Sequence, residues 1–238
     1  MERRAWLAAQ RASVQERYDG LYAATYDDDD GPITPIHRRF VERLVQSCPR
    51  GGMILDAPCG TGRYFDMVLA AGRTLVGIDQ SAAMLARARA KHPEVDLEKI
   101  GLQELAFDGE FDAAMCIDAL EYVSPEDWPR VLANLRLAVR GRGLIYLTVE
   151  QIDPAEMASA FAEAKAEGLP VVHGENIRRG GGYHFYPTPD RISRWLKAEG
   201  LEVVGEGTSH GRTYSYLHIV ARRAALGSVP PTSSPMRS

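Results

Sequence analysis

The stretch Ile54-Leu55-Asp56-Ala57-Pro58-Cys59-Gly60-Thr61-Gly62-Arg63-Tyr64-Phe65, followed after a helical run by Leu75-Val76-Gly77-Ile78-Asp79-Gln80-Ser81, decides the fold. It reads as an apolar strand, a Gly-X-Gly turn, a helix, a second apolar strand and an acid at that strand's end. Asp79 comes 19 positions after Gly60. At about this spacing, roughly 20 residues, an acidic side chain reaches the two hydroxyls of a ribose held over a glycine turn. The stretch therefore predicts a bound nucleoside.

The turn narrows the choice of nucleoside. A dinucleotide site uses a third glycine for close helix packing, and here that position holds Phe65. A ring there is expected to hold the helix off the strand and crowd a pyrophosphate. Asp56, just before the turn, would repel a pyrophosphate and attract a cation such as the ammonium of an amino acid. A ligand with a ribose, no phosphate and an amino-acid end is S-adenosylmethionine. A nicotinamide dinucleotide and a ligand-free βα corner are the competing readings of the turn taken alone.

Four motifs in order carry a family resemblance over about residues 50 to 150. Asp56-Ala57-Pro58-Cys59-Gly60-Thr61-Gly62 resembles the first motif of the class I S-adenosylmethionine-dependent methyltransferases, and Gly77-Ile78-Asp79-Gln80-Ser81-Ala82-Ala83-Met84-Leu85 their second-strand motif. Ile100 to Leu105, with Phe111-Asp112 and the strand through Asp118, resembles the third and fourth motifs, and Gly141 to Leu147 the fifth-strand signature. Two positions depart from the pattern. Pro58 replaces the usual first glycine, which a turn tolerates because proline only sets φ and removes a donor. Leu102 stands where many members carry an acid near the adenine amino group, which leaves that contact to Gln103 or to backbone. The resemblance implies a Rossmann-like, doubly wound α/β fold: a seven-stranded, mostly parallel sheet with an antiparallel last strand and an N-terminal helical lid.

Composition bounds the alternatives. The chain has 238 residues, 45% hydrophobic and 25% charged, enough for a full core in one domain with additions. A net charge of −4 argues against a nucleic-acid partner, which would want a broad basic surface. No apolar run approaches the roughly 18 residues of a membrane span. Cys48, Cys59 and Cys116 are scattered and lack metal spacing, so they read as free thiols of a reducing cytoplasm, with no metal site. No motif speaks to oligomeric state.

The expected organisation is a helical lid segment over 1–48, a cofactor-binding domain over 49–223 and a structureless tail over 224–238. Helices are expected at 3–18, from Thr34-Pro35, at 62–71, from Ser81 to Lys91, from Ser124 to Val139, from Pro154 to Gly168 and at 190–200. Strands are expected at 53–57, 73–79, 95–100, 111–117, 143–149, 201–207 and 214–222. Asp27 to Asp30 with Gly31-Pro32 should break a helix, and residues 169–187 should form a loop. In open parallel sheets ligands lie at the carboxyl ends of the strands, where Asp56, Asp79, Gln103 and Asp118 all fall.

Methyl transfer from a sulfonium needs alignment above all, and a base only where the acceptor must lose a proton. Cofactor contact is assigned to Asp79 through the ribose, to Asp56 near the ammonium, and to Ala57, Pro58, Gly60 and Gly62 through the turn. Gln80 and Met84 flank adenine and ribose, Leu102 and Gln103 the adenine edge, and Asp118 the methionine portion. Tyr18, Tyr22 and Tyr26, at spacings of four, would share one side of a lid helix, with Tyr18 and Tyr26 shielding the sulfonium. The loop around Gly180-Gly181-Gly182-Tyr183-His184-Phe185-Tyr186 follows the fifth strand, where related enzymes build the acceptor pocket. Tyr183, Phe185 and Tyr186, with Tyr122 and His37, are therefore substrate candidates for a small organic acceptor. His184 is the candidate base, against a purely structural histidine. A protein of this fold using the cofactor for another reaction, or an inactive partner subunit, would carry the same binding residues.

Overall fold

The computed structural model describes residues 2–29, 31–177, 182–211 and 215–224. Arg178 to Gly181 and the expected tail beyond Ala224 lie outside the described residues. The chain runs α1 (Arg3–Asp19), α2 (Leu21–Asp29), α3 (Pro35–Ser47), β1 (Met53–Asp56), α4 (Phe65–Ala70), β2 (Thr74–Ile78), α5 (Ala82–Lys91) and β3 (Asp96–Glu98). It continues through β4 (Phe111–Cys116), α6 (Trp128–Ala138), β5 (Val139–Gln151), α7 (Pro154–Ala166), β6 (Glu175–Asn176), β7 (His184–Phe185), α8 (Pro189–Ala198), β8 (Leu201–His210) and β9 (Ser215–Arg223).

Seven strands form one sheet in the order β3-β2-β1-β4-β5-β9-β8. The pairs β1–β2, β1–β4, β2–β3 and β4–β5 are parallel, and β9 runs antiparallel to both β5 and β8. Order reverses between β1 and β4, so a crevice opens there at the carboxyl edge. Side chains alternate across the sheet with period two. Leu55, Ala114, Cys116, Ile145, Leu147 and Ile219 face a core completed by α6 and α8. Ile54, Ala113, Met115, Tyr146 and Val220 face the opposite layer, built from α3, α4 and α5. The N-terminal segment therefore divides. α3 carries Phe40, Val41, Leu44 and Val45 into that second layer, whereas α1 and α2 contribute cleft-lining side chains.

Local signals set several ends. Thr34, Ser81 and Asp153 cap their helices by accepting from His37 N, Met84 N and Ala155 N. Elsewhere the structure corrects the sequence reading. Ser124 does not start a helix; 124–127 is a turn, and α6 begins at Trp128 with Pro129 in its first turn, where no N–H is needed. Asp27 to Asp29 continue α2 instead of breaking it. Residues 169–187 hold the paired strands β6 and β7. A buried carboxylate organises this segment: Glu175 accepts from Tyr183 Oη at 2.7 Å, Val172 N at 2.7 Å and the Arg3 guanidinium at 2.9 Å. The aromatic run therefore packs inward, with Tyr183 and Phe185 in the core and Phe185 against Trp128 and Trp195.

Phe65 also differs from expectation. Its ring does not crowd the ligand side of the turn but lies fully buried in the core. A Cβ on Gly77 would stand 2.8 Å from Phe65 Cζ, so glycine on β2 makes the room that a third glycine would otherwise make in the turn.

Candidate functional site

A cleft opens at the carboxyl edge of the sheet. Its floor is the turn after β1. Cys59 N donates to Ile78 O at 2.7 Å and Gly62 N to Cys59 O at 2.9 Å, which ties the turn to β2. Gly60 and Gly62 take positive φ values of 53° and 77°, which favour glycine. The Ala57–Pro58 peptide is cis.

Asp79 closes β2 at the cleft wall. Its Oδ2 accepts from Gly60 N at 3.0 Å and its Oδ1 from Ser81 N at 2.8 Å. Each oxygen keeps a second lone pair. Burial pushes the Asp79 carboxyl up to about 6, against the pull of those backbone donors. Asp56 lies deeper, 1% exposed, and neither of its oxygens has a hydrogen-bond partner among the described residues. Burial, with Asp79 beside it, pushes Asp56 well above the usual carboxylate range. Two buried carboxylates under one turn make a floor that favours a cation and opposes phosphate. A nucleoside with a cationic amino-acid arm fits this floor.

Of the sequence candidates, Tyr18, Tyr26, Pro58, Gly60, Asp79, Gln80, Met84, Leu102, Gln103, Asp118 and Tyr122 line the cleft. Asp56, Ala57 and Gly62 are not among the residues that line it. The three tyrosines do not share one helix, because α1 ends before them all have passed. They nevertheless meet across the α1–α2 junction, with ring centroids 5.3 to 6.4 Å apart. Tyr18 Oη donates to Tyr122 Oη at 2.9 Å. Two carboxylates tie the first helices to the floor: Asp19 Oδ1 accepts from Ser81 Oγ at 2.7 Å, and Asp27 accepts from Thr61 Oγ1 at 2.5 Å and Lys91 Nζ at 3.0 Å.

Other candidates sit elsewhere. His184 is buried, with Nδ1 3.2 Å from Gly182 O and its ring stacked on Tyr186 at 6.0 Å. Tyr122 stands between it and the cleft, 5.0 Å from the His184 ring. Tyr183 borders a neighbouring hollow along α1, while Phe185 and Tyr186 are buried in the packed layer. His37 is buried behind Asp118. Sequence reasoning missed Arg63 and Tyr64, on the cleft wall just past Gly62, and Arg11 and Val14 on α1. The three-residue spacing of Arg11 and Val14 on one helix face was the available signal.

The paired carboxylates give a test with a definite sign. An acid whose pKa rises on folding binds more protons folded than unfolded, so its ionisation costs stability as pH climbs from about 4 through the folded pKa. Asp56→Asn removes that ionisation. The ligand-free variant is expected to melt above the wild-type protein at pH 7.5, and the gain should vanish near pH 4. A gain of equal size at both pH values would contradict the placement of a charged group there.

A doubly wound sheet with a glycine turn, an acid closing β2 and an acidic floor defines a nucleoside-binding α/β protein whose ligand bears a cation. The family described as "Methyltransferase domain" matches residues 54–143. A "Ubiquinone biosynthesis O-methyltransferase" from Alkalilimnicola ehrlichii is 34% identical over 207 residues, covering 82% of this chain and 80% of the relative. Among solved structures, magnesium protoporphyrin IX methyltransferase from Synechocystis, with bound SAH, superposes with a TM-score of 0.67 at 18% identity, covering 90% of this chain and 100% of that one. The [4+2]-cyclase SpnF superposes with a TM-score of 0.69 at 17% identity, covering 91% and 97%. The chain belongs to the class I S-adenosylmethionine-dependent methyltransferases, with S-adenosylmethionine as its cofactor.

Proposed function

We propose that this methyltransferase acts on a hydroxyl group of a small aromatic acceptor. The observation that carries this reading is the ring-lined mouth of the cleft, where Tyr18, Tyr26, Tyr64 and Tyr122 stand around the acidic floor. Stacked and edge-on aromatic contacts suit a planar acceptor. The relative from Alkalilimnicola ehrlichii, named an O-methyltransferase, supports oxygen as the methylated atom. When bound, S-adenosylmethionine supplies a methyl carbon on a positively charged sulfur. The residues proposed to hold it are Asp79 at the ribose hydroxyls, Gly60 beneath, Met84, Leu102 and Gln103 at the adenine, and Asp56 as the buried countercharge.

In the same reading α1 and α2 form a lid, latched by Asp19 and Asp27. Closing it excludes water and holds acceptor and cofactor in line. Three buried free cysteines support a reducing compartment, the cytoplasm. No helix among the described residues is long and apolar enough to cross a membrane.

The test is incubation with S-adenosylmethionine and a panel of catechols, phenols and amines, read by mass spectrometry. A gain of about 14 mass units on the hydroxylated probes supports the proposal. Methylated amines alone, or products of unchanged mass, would overturn it. Asp27→Ala tests the lid. Its ion pairs are partly exposed, and such contacts are worth about 0.2–1 kcal/mol. Cofactor release is expected to quicken about two- to fivefold in stopped flow, with melting nearly unchanged. An unchanged release rate would remove the latch.

A further inference from the structure

Asp118 is held in an uncommon conformation. Its φ is 52°, in the left-handed region that a non-glycine residue occupies at a cost of roughly 1–2 kcal/mol. Strain of this kind persists where surroundings over-determine it, and it points toward function. Here the surroundings are three polar contacts. Asp118 N donates to Thr148 Oγ1 at 2.7 Å, and Thr148 Oγ1 donates back to Asp118 Oδ1 at 3.1 Å. His37 Nε2 lies 3.4 Å from the same Oδ1, at ion-pair distance but outside hydrogen-bond geometry. Oδ2 has no hydrogen-bond partner among the described residues, and the side chain is 26% exposed on the cleft wall.

His37 is oriented in turn. Its Nδ1 lies 2.6 Å from Thr34 Oγ1, and its backbone N–H donates to the same oxygen at 3.3 Å. With Thr34 donating its hydroxyl proton to Nδ1, the ring proton sits on Nε2, facing Asp118. The ring is walled by Tyr64 before α4 and by Tyr216 and His218 on β9. His218 is committed elsewhere, with Nδ1 2.7 Å from Tyr146 Oη and Nε2 2.9 Å from Ser209 Oγ. His37 thus places a ring nitrogen at ion-pair distance from a carboxylate of the cleft.

We infer that Asp118 takes the acceptor's proton through Oδ2, and that His37 is the positioning residue that aims the carboxylate from behind. The inference rests on hydroxyl methylation as proposed above. The acceptor oxygen gains a bond to the methyl carbon, the carbon–sulfur bond breaks with its electron pair left on sulfur, and the O–H proton passes to Asp118 Oδ2. A carboxylate suffices as the base, because an oxygen gaining a third bond makes its O–H strongly acidic. Solvent access to Asp118 lets the proton leave before the next turnover.

Wild type, Asp118→Asn, His37→Gln and His37→Phe are compared with 4-methylcatechol as the probe, with calorimetry for cofactor affinity and imidazole 15N spectra of the ligand-free protein. Asp118→Asn should lower kcat about 100-fold or more, the scale of general-base loss. His37→Phe should lower kcat by about tenfold or more, and His37→Gln, which keeps a donor near Nε2, should recover most of it. The wild-type spectrum should show His37 protonated on Nε2, and Asp118→Asn should shift that tautomer toward Nδ1. Near-normal kcat in Asp118→Asn, a defect confined to cofactor Kd, or an Nδ1-protonated His37 in the wild type would each overturn the inference. If the wild type methylates no probe, the proposed function fails separately, and the spectrum still decides the pairing.

Discussion

Asp79→Ala is expected to weaken S-adenosylmethionine binding by about 1.5–3 kcal/mol, roughly 10- to 150-fold in Kd, the scale of hydrogen bonds to a charged group. The loss has two sources. The carboxylate's remaining lone pairs would no longer meet the ribose hydroxyls. The turn itself would also loosen, because Gly60 N and Ser81 N both lose the acceptor that joins them across the cleft floor. Asp79→Asn separates the two, since an amide keeps one acceptor and loses the charge. It should fall between wild type and alanine. Calorimetric titration checks the affinities, and hydrogen exchange at Gly60 and Ser81 reads the turn. An affinity in Asp79→Ala equal to wild type would remove the ribose assignment, whatever the exchange rates do.

Gly62→Ala should cost about 2–5 kcal/mol of stability in the ligand-free protein. The φ of 77° alone costs an L-residue roughly 1–2 kcal/mol. A Cβ would also stand 2.8 Å from Phe65 Cδ2 and 2.9 Å from Cε2, and the fully buried ring has no room to retreat. Overpacking of this kind costs about 1–3 kcal/mol. Gly60→Ala is the control. Its φ of 53° is also left-handed, but the nearest atom to its Cβ, Tyr26 Cε1, is 3.9 Å away. That variant should carry the backbone strain alone and melt between Gly62→Ala and wild type. At about 2–4 °C per kcal/mol for a chain of this size, Gly62→Ala should lower Tm by roughly 4–20 °C. Equal melting of the two variants would show that the Phe65 ring does not constrain the turn.

These two predictions stand on parts of the chain that a reader of the sequence could already see. The strand-turn-strand unit is legible because its signals are local: two apolar runs, positive-φ glycines and an acid at a set distance. Thr34 and Ser81 were legible as caps for the same reason, since a cap bonds to a backbone N–H two or three residues away. The aromatic run at 183–186 misled because sequence shows rings without showing which way they face. Glu175 and Arg3, which draw that segment inward, are separated by 172 positions. Asp27 looked like part of a helix break, and only Thr61 and Lys91 beside it explain why the helix continues.

Periodicity and turn chemistry by themselves determined the alternating fold, the crevice at the reversal of strand order, and the acid that closes β2, because each depends on neighbours within a few residues or on a repeat of two or 3.6. Three-dimensional packing alone decided that Phe65 fills the space Gly77 leaves, that His184 sits packed behind Tyr122, and that His37 stands behind Asp118. Those outcomes rest on contacts between distant segments, and whether a side chain meets a ligand, a partner or the core is set by what the rest of the chain places opposite it.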